Sequence, residues 1–220
     1  MGRLISAINP LHKKTKRDYT GRMANSKAGC MKTAREYGKE YWDGERRYGY
    51  GGYRYDGRWS VVAERLKELY GLPQKARILD VGCGKGFLLY EFKKLLPLSS
   101  VMGFDVSKYA IENAKEEIRE SLFVYRAEDK FPFKDGEFDL VISITTLHNL
   151  LINDLKSSLK EIERVGKYKY IAVESYRTEE ELTNLQCWAL TCEGFFRPEE
   201  WIWLFNEFGY KGDYEFIYFD

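Results

Sequence analysis

From residue 60 onward the apolar positions switch between two periods. In 60–71, Val61, Val62, Leu66, Leu69 and Tyr70 recur near helical spacing and Gly71 stops the run, so a helix is predicted there. Short apolar runs of strand length follow at 76–82, 101–106, 122–127, 137–144, 167–176 and 213–219. Between them lie segments of helical period: 87–96, stopped by Pro97; 108–120, with Ser107 as its N-cap; 154–165; and 197–209. Strands alternating with helices of this length imply βαβ units. The pattern therefore predicts an α/β chain with a doubly wound, mostly parallel sheet and helices on both faces. In such a sheet a ligand sits beyond the carboxyl ends of the strands.

Residues 1–59 follow neither period. Stretch 35–59 carries Tyr37, Tyr41, Trp42, Tyr48, Tyr50, Tyr53, Tyr55 and Trp59 among glycines 38, 44, 49, 51, 52 and 57. Glycine at that density breaks helix and strand interiors, so these aromatics are expected on a loop that wraps a flat ligand or closes as a lid. The predicted division is a basic and aromatic arm and lid over 1–59 and a core over 60–220. Charge sharpens the picture. The chain carries 35 Lys and Arg against 34 Asp and Glu, yet residues 1–40 alone hold ten basic residues and three acids. Such asymmetry points to an anion: nucleic acid, a phosphate-bearing small molecule, or the acidic face of the chain's own core.

Composition excludes several classes. Hydrophobic residues at 44% rule out intrinsic disorder, and no apolar stretch approaches the 18 residues of a membrane span. The first 19 residues lack the apolar h-region and small-residue cleavage site of a secretory leader. Cys30, Cys83, Cys187 and Cys192 form no C-x-x-C pair and only His12 and His148 accompany them, so no metal is expected. Reduced thiols in a cytoplasmic protein are the expectation.

The candidate chemistry begins at Asp80-Val81-Gly82-Cys83-Gly84-Lys85-Gly86, where three glycines follow a strand and open a helix. Backbone can approach a ligand closely there. Position 87 is Phe where the dinucleotide pattern wants glycine, which disfavours a nicotinamide cofactor. Asp105 ends the next strand, where an acid can accept both hydroxyls of a ribose.

ILDVGCGKG followed by GFD resembles the class I S-adenosylmethionine-dependent methyltransferases, over about residues 76–219, and AEDKFPFKDGEFDLVISITTLHNL is similar to that family's later signature. The resemblance implies a Rossmann-like fold with S-adenosylmethionine as cofactor and S-adenosylhomocysteine as product. It places Asp80, Gly82, Cys83, Gly84 and Gly86 around the methionine part of the cofactor, Asp105 on the ribose, and Val106 and Ile144 in the same cofactor site. Glu128 or Asp129 would meet the adenine amine; one extra residue before Pro132-Phe133 leaves the two undecided. The family normally closes with an antiparallel hairpin, but only DYEFIYF follows Gly209. Either the seventh strand is missing or residues 185–192 supply a different cover.

Methyl transfer from a sulfonium mainly needs alignment, whereas a hydroxyl or ammonium acceptor also needs a base. The candidates lie at the ends of the fourth and fifth strands: Thr145, Thr146, His148 and Asn149, then Glu174 and Tyr176. Of these, His148, Glu174 and Tyr176 are the catalytic candidates. A phosphate or carboxylate acceptor would need none. Arg46, Arg47 and Arg58, with Tyr48, Tyr50, Tyr53, Trp59 and Thr146, are the candidate acceptor-binding residues, since guanidinium suits bidentate oxyanion binding. Basic residues 13–22 would add a second anionic contact, and Arg58-Trp59 could instead clamp the cofactor's carboxylate.

The expected acceptor is small and anionic, phosphorylated or nucleotide-linked. INPLHKKTKR with RRYGYGGYRYDGRW is similar to methyltransferases of bacterial capsule and surface-polysaccharide clusters, including those that install O-methyl phosphoramidate. The alternative is an RNA methyltransferase using the basic arm on phosphates. A cofactor-binding partner subunit and an NAD-dependent oxidoreductase are the remaining readings. The sequence leaves the oligomeric state open, a dimer included.

Overall fold

The computed structural model describes residues 2–12 and 15–220; Lys13 and Lys14, half of the basic run, lie outside the described residues. Ahead of residue 60 the described residues hold α1 (Asn9–His12), α2 (Tyr19–Ala24), α3 (Lys27–Ala34) and α4 (Lys39–Asp43). The core then runs α5 (Ser60–Tyr70), β1 (Arg77–Val81), α6 (Phe87–Leu95), β2 (Ser100–Asp105), α7 (Lys108–Glu112), β3 (Leu122–Val124) and β4 (Phe138–Ile144). It closes with α8 (Ile152–Val165), β5 (Gly166–Glu174), α9 (Glu179–Trp188), α10 (Pro198–Glu207) and β6 (Asp213–Ile217).

Successive strand residues are buried on opposite faces, which is why the strands read as unbroken apolar runs. Ile78, Ile142, Tyr170 and Ala172 enter one core with Val62 and Leu66 of α5 and Leu89 and Phe92 of α6. Leu79, Val141, Ile171 and Val173 enter the other with Leu159 and Ile162 of α8 and Trp201 and Phe205 of α10. The six strands lie in the order β3-β2-β1-β4-β5-β6, and every pairing is parallel. This is the Rossmann-like doubly wound sheet, all-parallel where the sequence suggested mostly parallel.

Of the two alternatives at the C-terminal edge, the structure has the missing seventh strand: no antiparallel strand occurs among the described residues, and β6 pairs directly with β5, with Tyr170 opposite Asp213. Residues 185–192 form the end of α9 and the segment after it. The predicted helix 108–120 breaks after Glu112, where Asn113 turns its side chain back to the Tyr109 carbonyl, and resumes as a 3₁₀ turn over 116–121 that buries Ile118. The Tyr/Gly stretch, expected on a loop, contains two short helical pieces, α4 and a 3₁₀ turn at 46–48.

The first residues return to the far edge of the sheet. Ile5 N donates to Tyr214 O and Tyr214 N to Arg3 O, both at 3.0 Å, so Arg3–Ile5 runs parallel to β6. Two acids fasten it. Asp213 pairs with Arg3 at 2.8 Å and accepts the Tyr70 hydroxyl at 3.1 Å. Glu215, wholly buried, accepts the backbone N–H groups of Ala7, Ile8 and Asn9 at 2.6, 3.0 and 2.8 Å and the Tyr170 hydroxyl at 2.5 Å. Charge-assisted bonds of this kind are what make a buried carboxylate tolerable. They seat α1, and α2 then packs against α9. None of the helices among the described residues is long and apolar enough to cross a membrane.

Candidate functional site

The tips of β1 and β4 and the lid enclose a cavity of about 350 Å³, within the usual size range of small-molecule sites. At its floor, Gly82 N and Cys83 N both donate to Phe104 O of β2, at 2.9 and 3.0 Å, which folds the glycine loop back over the sheet edge. Gly82 and Gly84 take φ of 79° and 54°, a region costly for other residues. Their missing Cβ atoms also matter. One on Gly82 would overlap Thr146, and one on Gly84 would lie 2.8 Å from the Trp42 ring.

Asp80 lies on the cavity wall, 5% exposed, with no hydrogen-bond partner for its carboxylate among the described residues. Burial, helped by the nearby Asp105, pushes its pKa up to about 8. A carboxyl so placed is a socket for a cation. Asp105, expected on the ribose, does not line the cavity: its two oxygens accept from Gly84 N and Ser107 N, each at 2.8 Å.

The lid closes directly on the loop. Trp42 donates its indole N–H to Ser107 Oγ at 2.8 Å and to Tyr37 O at 3.1 Å. Tyr50 stacks parallel on Trp42 with centroids 5.1 Å apart, and Tyr53 stacks on Phe87 at 4.9 Å. Lys85 Nζ reaches across to Asp43, at 2.7 and 2.8 Å, and to Tyr53 O at 3.0 Å. Because Lys85 is buried, its pairing with Asp43 is a clamp rather than a surface ion pair. Tyr53 is raised far above the ordinary phenol range by burial and Tyr50 to about 12 by burial, so both face the cavity as neutral hydroxyls.

The opposite wall is basic. Arg22, Arg46 and Arg17 gather around Trp188, with guanidinium carbons 4.3, 4.8 and 5.5 Å from its ring. None forms an ion pair with an acid among the described residues, and Nε of Arg17 and of Arg22 has no hydrogen-bond partner. Burial lowers all three. Arg22, further depressed by Arg46, falls to about 10. Three desolvated cations at one aromatic ring are unfavourable until an anion joins them.

A third wall holds the strand tips. Thr145, at the end of β4, takes φ 54°, an unusual conformation for a β-branched residue that costs on the order of 1–3 kcal/mol. Glu174 ends β5, with its Oε2 3.4 Å from His148 Nε2. His148 is buried, which lowers its pKa despite Glu174, and its Nδ1 accepts the Glu174 backbone N–H at 3.5 Å. The imidazole is therefore neutral and presents Nε2–H to the carboxylate.

Of the sequence-derived residues, Asp80, Gly82, Cys83, Gly84, Ile144, His148, Glu174, Arg46, Tyr50, Tyr53, Arg58 and Trp59 line this cavity, together with Thr145 and Asn149. Others do not. Arg47 lies over the Tyr48 ring and pairs with Glu45, and Tyr48 packs on the cluster of Cys30, Ala34 and Leu190. Thr146 turns its hydroxyl to Ile144 O. Tyr176 stands outside, under the Arg197 guanidinium. Gly86 opens α6, pressed against Ile118 and Leu122; Val106 is exposed, Glu128 pairs with Arg126, and Asp129 is exposed. Sequence reading missed Trp188, Lys85 and His12 and did not single out Arg17 and Arg22 within the basic run. His12 lines the cavity against Phe219, and burial with Arg17 lowers it to about 3.

A protein family described as a methyltransferase domain matches residues 72–209, well over half of the chain. The chain belongs to that family. Its cofactor is accordingly S-adenosylmethionine, and the open glycine cradle and the unpaired Asp80 fit such a group. The methyltransferase is similar to the human arginine-hydroxylase NDUFAF5, 29% identical over 58% of this chain and 36% of that protein. It is also similar to a malonyl-[acyl-carrier protein] O-methyltransferase of Legionella pneumophila, 35% identical over 48% of this chain and 37% of that one. The chain thus spans about a third of the length of these relatives. Among solved structures it resembles an S-adenosylmethionine-dependent methyltransferase from Archaeoglobus fulgidus, with TM-score 0.54 and 22% identity over 70% of this chain and 69% of that one. It also resembles the YcgJ protein of Bacillus subtilis, with TM-score 0.52 and 20% identity over 66% of each. These two likenesses speak to the fold.

Proposed function

We propose that this domain transfers the methyl group of S-adenosylmethionine to a small anionic acceptor, phosphorylated or nucleotide-linked, enclosed under the lid. The observation that carries this reading is the cavity itself. It joins the glycine loop and Asp80 to three guanidiniums without acidic partners among the described residues. Asp80 would take the ammonium of the cofactor's methionine part. Arg58, which pairs with Asp56 at the cavity wall, would take its carboxylate. The cofactor supplies a methyl group already activated on a sulfonium, which leaves as a neutral thioether. The protein's contribution is alignment and water exclusion, worth about 7–11 kcal/mol when geometry is ideal. Arg17, Arg22 and Arg46 would fix the acceptor's oxyanion, and Trp42, Tyr50 and Tyr53 would wall off solvent. The likeness of the N-terminal segment to methyltransferases of capsule clusters fits a phosphorylated surface-sugar precursor as acceptor.

The test is methyl-labelled S-adenosylmethionine incubated with the protein and an extract of its source cells, the products split into RNA, protein and small-anion fractions. Label in small anions is expected. Label confined to RNA would make Arg17 and Arg22 part of a nucleic-acid surface and overturn the proposal.

A further inference from the structure

Two acceptor groups on the cavity wall have lone pairs to spare. Asn149 donates its Nδ2 to Thr145 O at 3.2 Å, which fixes the amide's orientation and leaves Oδ1 buried with no partner. Such a buried acceptor is costly to leave without a donor. One residue back, His148 holds Glu174 from the other side, and the Glu174 carboxylate has no Lys or Arg ion pair among the described residues. Both residues line the cavity that also holds the three guanidiniums. The site therefore offers guanidiniums for an oxyanion and, in Asn149 Oδ1 and the Glu174 carboxylate, two acceptor groups for N–H donors.

We infer that the acceptor molecule carries an amino group, with at least two N–H bonds, set apart from its anionic group. Asn149 Oδ1 and the Glu174 carboxylate receive those N–H bonds, while Arg17, Arg22 and Arg46 hold the anion. A hydroxyl has one hydrogen and satisfies one of the two acceptors; an alkyl group satisfies neither and desolvates both. His148 is a positioning residue, holding the carboxylate through Nε2–H. This inference rests on the anionic-acceptor reading above and names the class within it: amino-bearing phosphates or phosphonates.

The experiment uses titration calorimetry on the full chain saturated with S-adenosylhomocysteine, with three probes of similar size: 2-aminoethylphosphonate, 2-hydroxyethylphosphonate and n-propylphosphonate. The amino compound is expected to bind at least tenfold more tightly than either of the others. Glu174→Gln should erase most of that preference. Equal binding of the amino and propyl compounds, or preference for the hydroxyl compound, overturns the inference but leaves the anionic reading standing. If no probe distinguishes the wild type from Arg22→Leu, the anionic reading itself fails and the inference falls with it. The comparison of probes in the wild type needs no variant, so poor folding of Glu174→Gln would not spare the idea.

Discussion

Asp80 gives the sharpest prediction, because its carboxyl is protonated until a cation reaches it. With the pKa pushed up to about 8, roughly 90% of the free protein carries that proton at pH 7. If the cofactor's ammonium ionises Asp80 on binding, about 0.9 proton is released per cofactor bound at pH 7 and about 0.1 at pH 9. The Kd for S-adenosylhomocysteine should then fall about ninefold from pH 6 to 7, about fivefold from 7 to 8 and about twofold from 8 to 9. Calorimetry in two buffers of different ionisation enthalpy measures the protons directly, and Asp80→Asn controls for titration of the ligand itself. The same shift has a cost to the free fold. A carboxyl raised in the folded state binds its proton there more tightly than in the unfolded chain, so stability declines as pH rises from about 4 toward 8. At pH 7 that penalty is up to about 4 kcal/mol, and Asp80→Asn should recover a large part of it while weakening cofactor binding. A pH-independent Kd with no proton released, or a variant that loses both stability and affinity, would refute the assignment.

Three further outcomes are expected. Glu215→Ala orphans three backbone N–H groups, two of them buried, and should cost about 3 kcal/mol or more in urea unfolding, with faster proteolysis within residues 2–12; a loss below about 1 kcal/mol would mean that water replaces the carboxylate. Gly84→Ala should weaken S-adenosylhomocysteine binding more than tenfold by pushing Trp42 off the loop, whereas Gly136→Ala, with φ 61° and open space around it, should show backbone strain alone and leave binding intact. Arg22→Leu removes one of three mutually repelling cations, so it should unfold no earlier than wild type in a thermal scan and keep its stabilisation by S-adenosylhomocysteine. It should lose the stabilisation by added phosphonate, which reaches about 2.7 kcal/mol at a hundredfold excess over Kd in the wild type.

The sheet was legible because its strands are buried on both faces and carry no competing period, so Ile78-Leu79 and Ile171-Ala172-Val173 read as strands without reference to their neighbours. The glycine loop was legible for a related reason: its chemistry is local, and seven consecutive residues contain it. What escaped depends on long-range packing. Arg17 and Arg22 look like solvated charges in sequence, and only α2 lying on α9 carries them to Trp188. Trp188 itself ends a helix whose apolar spacing is too weak to announce it. Arg47 and Tyr48 matched their neighbours in composition, yet the 3₁₀ turn at 46–48 sends Arg46 inward and Arg47 out. Nothing in the local sequence separates the two.

The strap formed by residues 3–9 along β6 bears on the order in which the molecule assembles. The cofactor half of the site is made from β1, β2 and β4, contiguous between residues 77 and 144. The wall carrying Ile8, Leu11 and His12 exists only once Glu215, more than 200 positions away in the chain, has gathered the N–H groups of Ala7–Asn9. Contacts that close so large a loop form late and open early. Hydrogen exchange should therefore show residues 3–9 opening at lower free energy than β1 and β4, leaving a species that still holds S-adenosylhomocysteine but no longer encloses an acceptor.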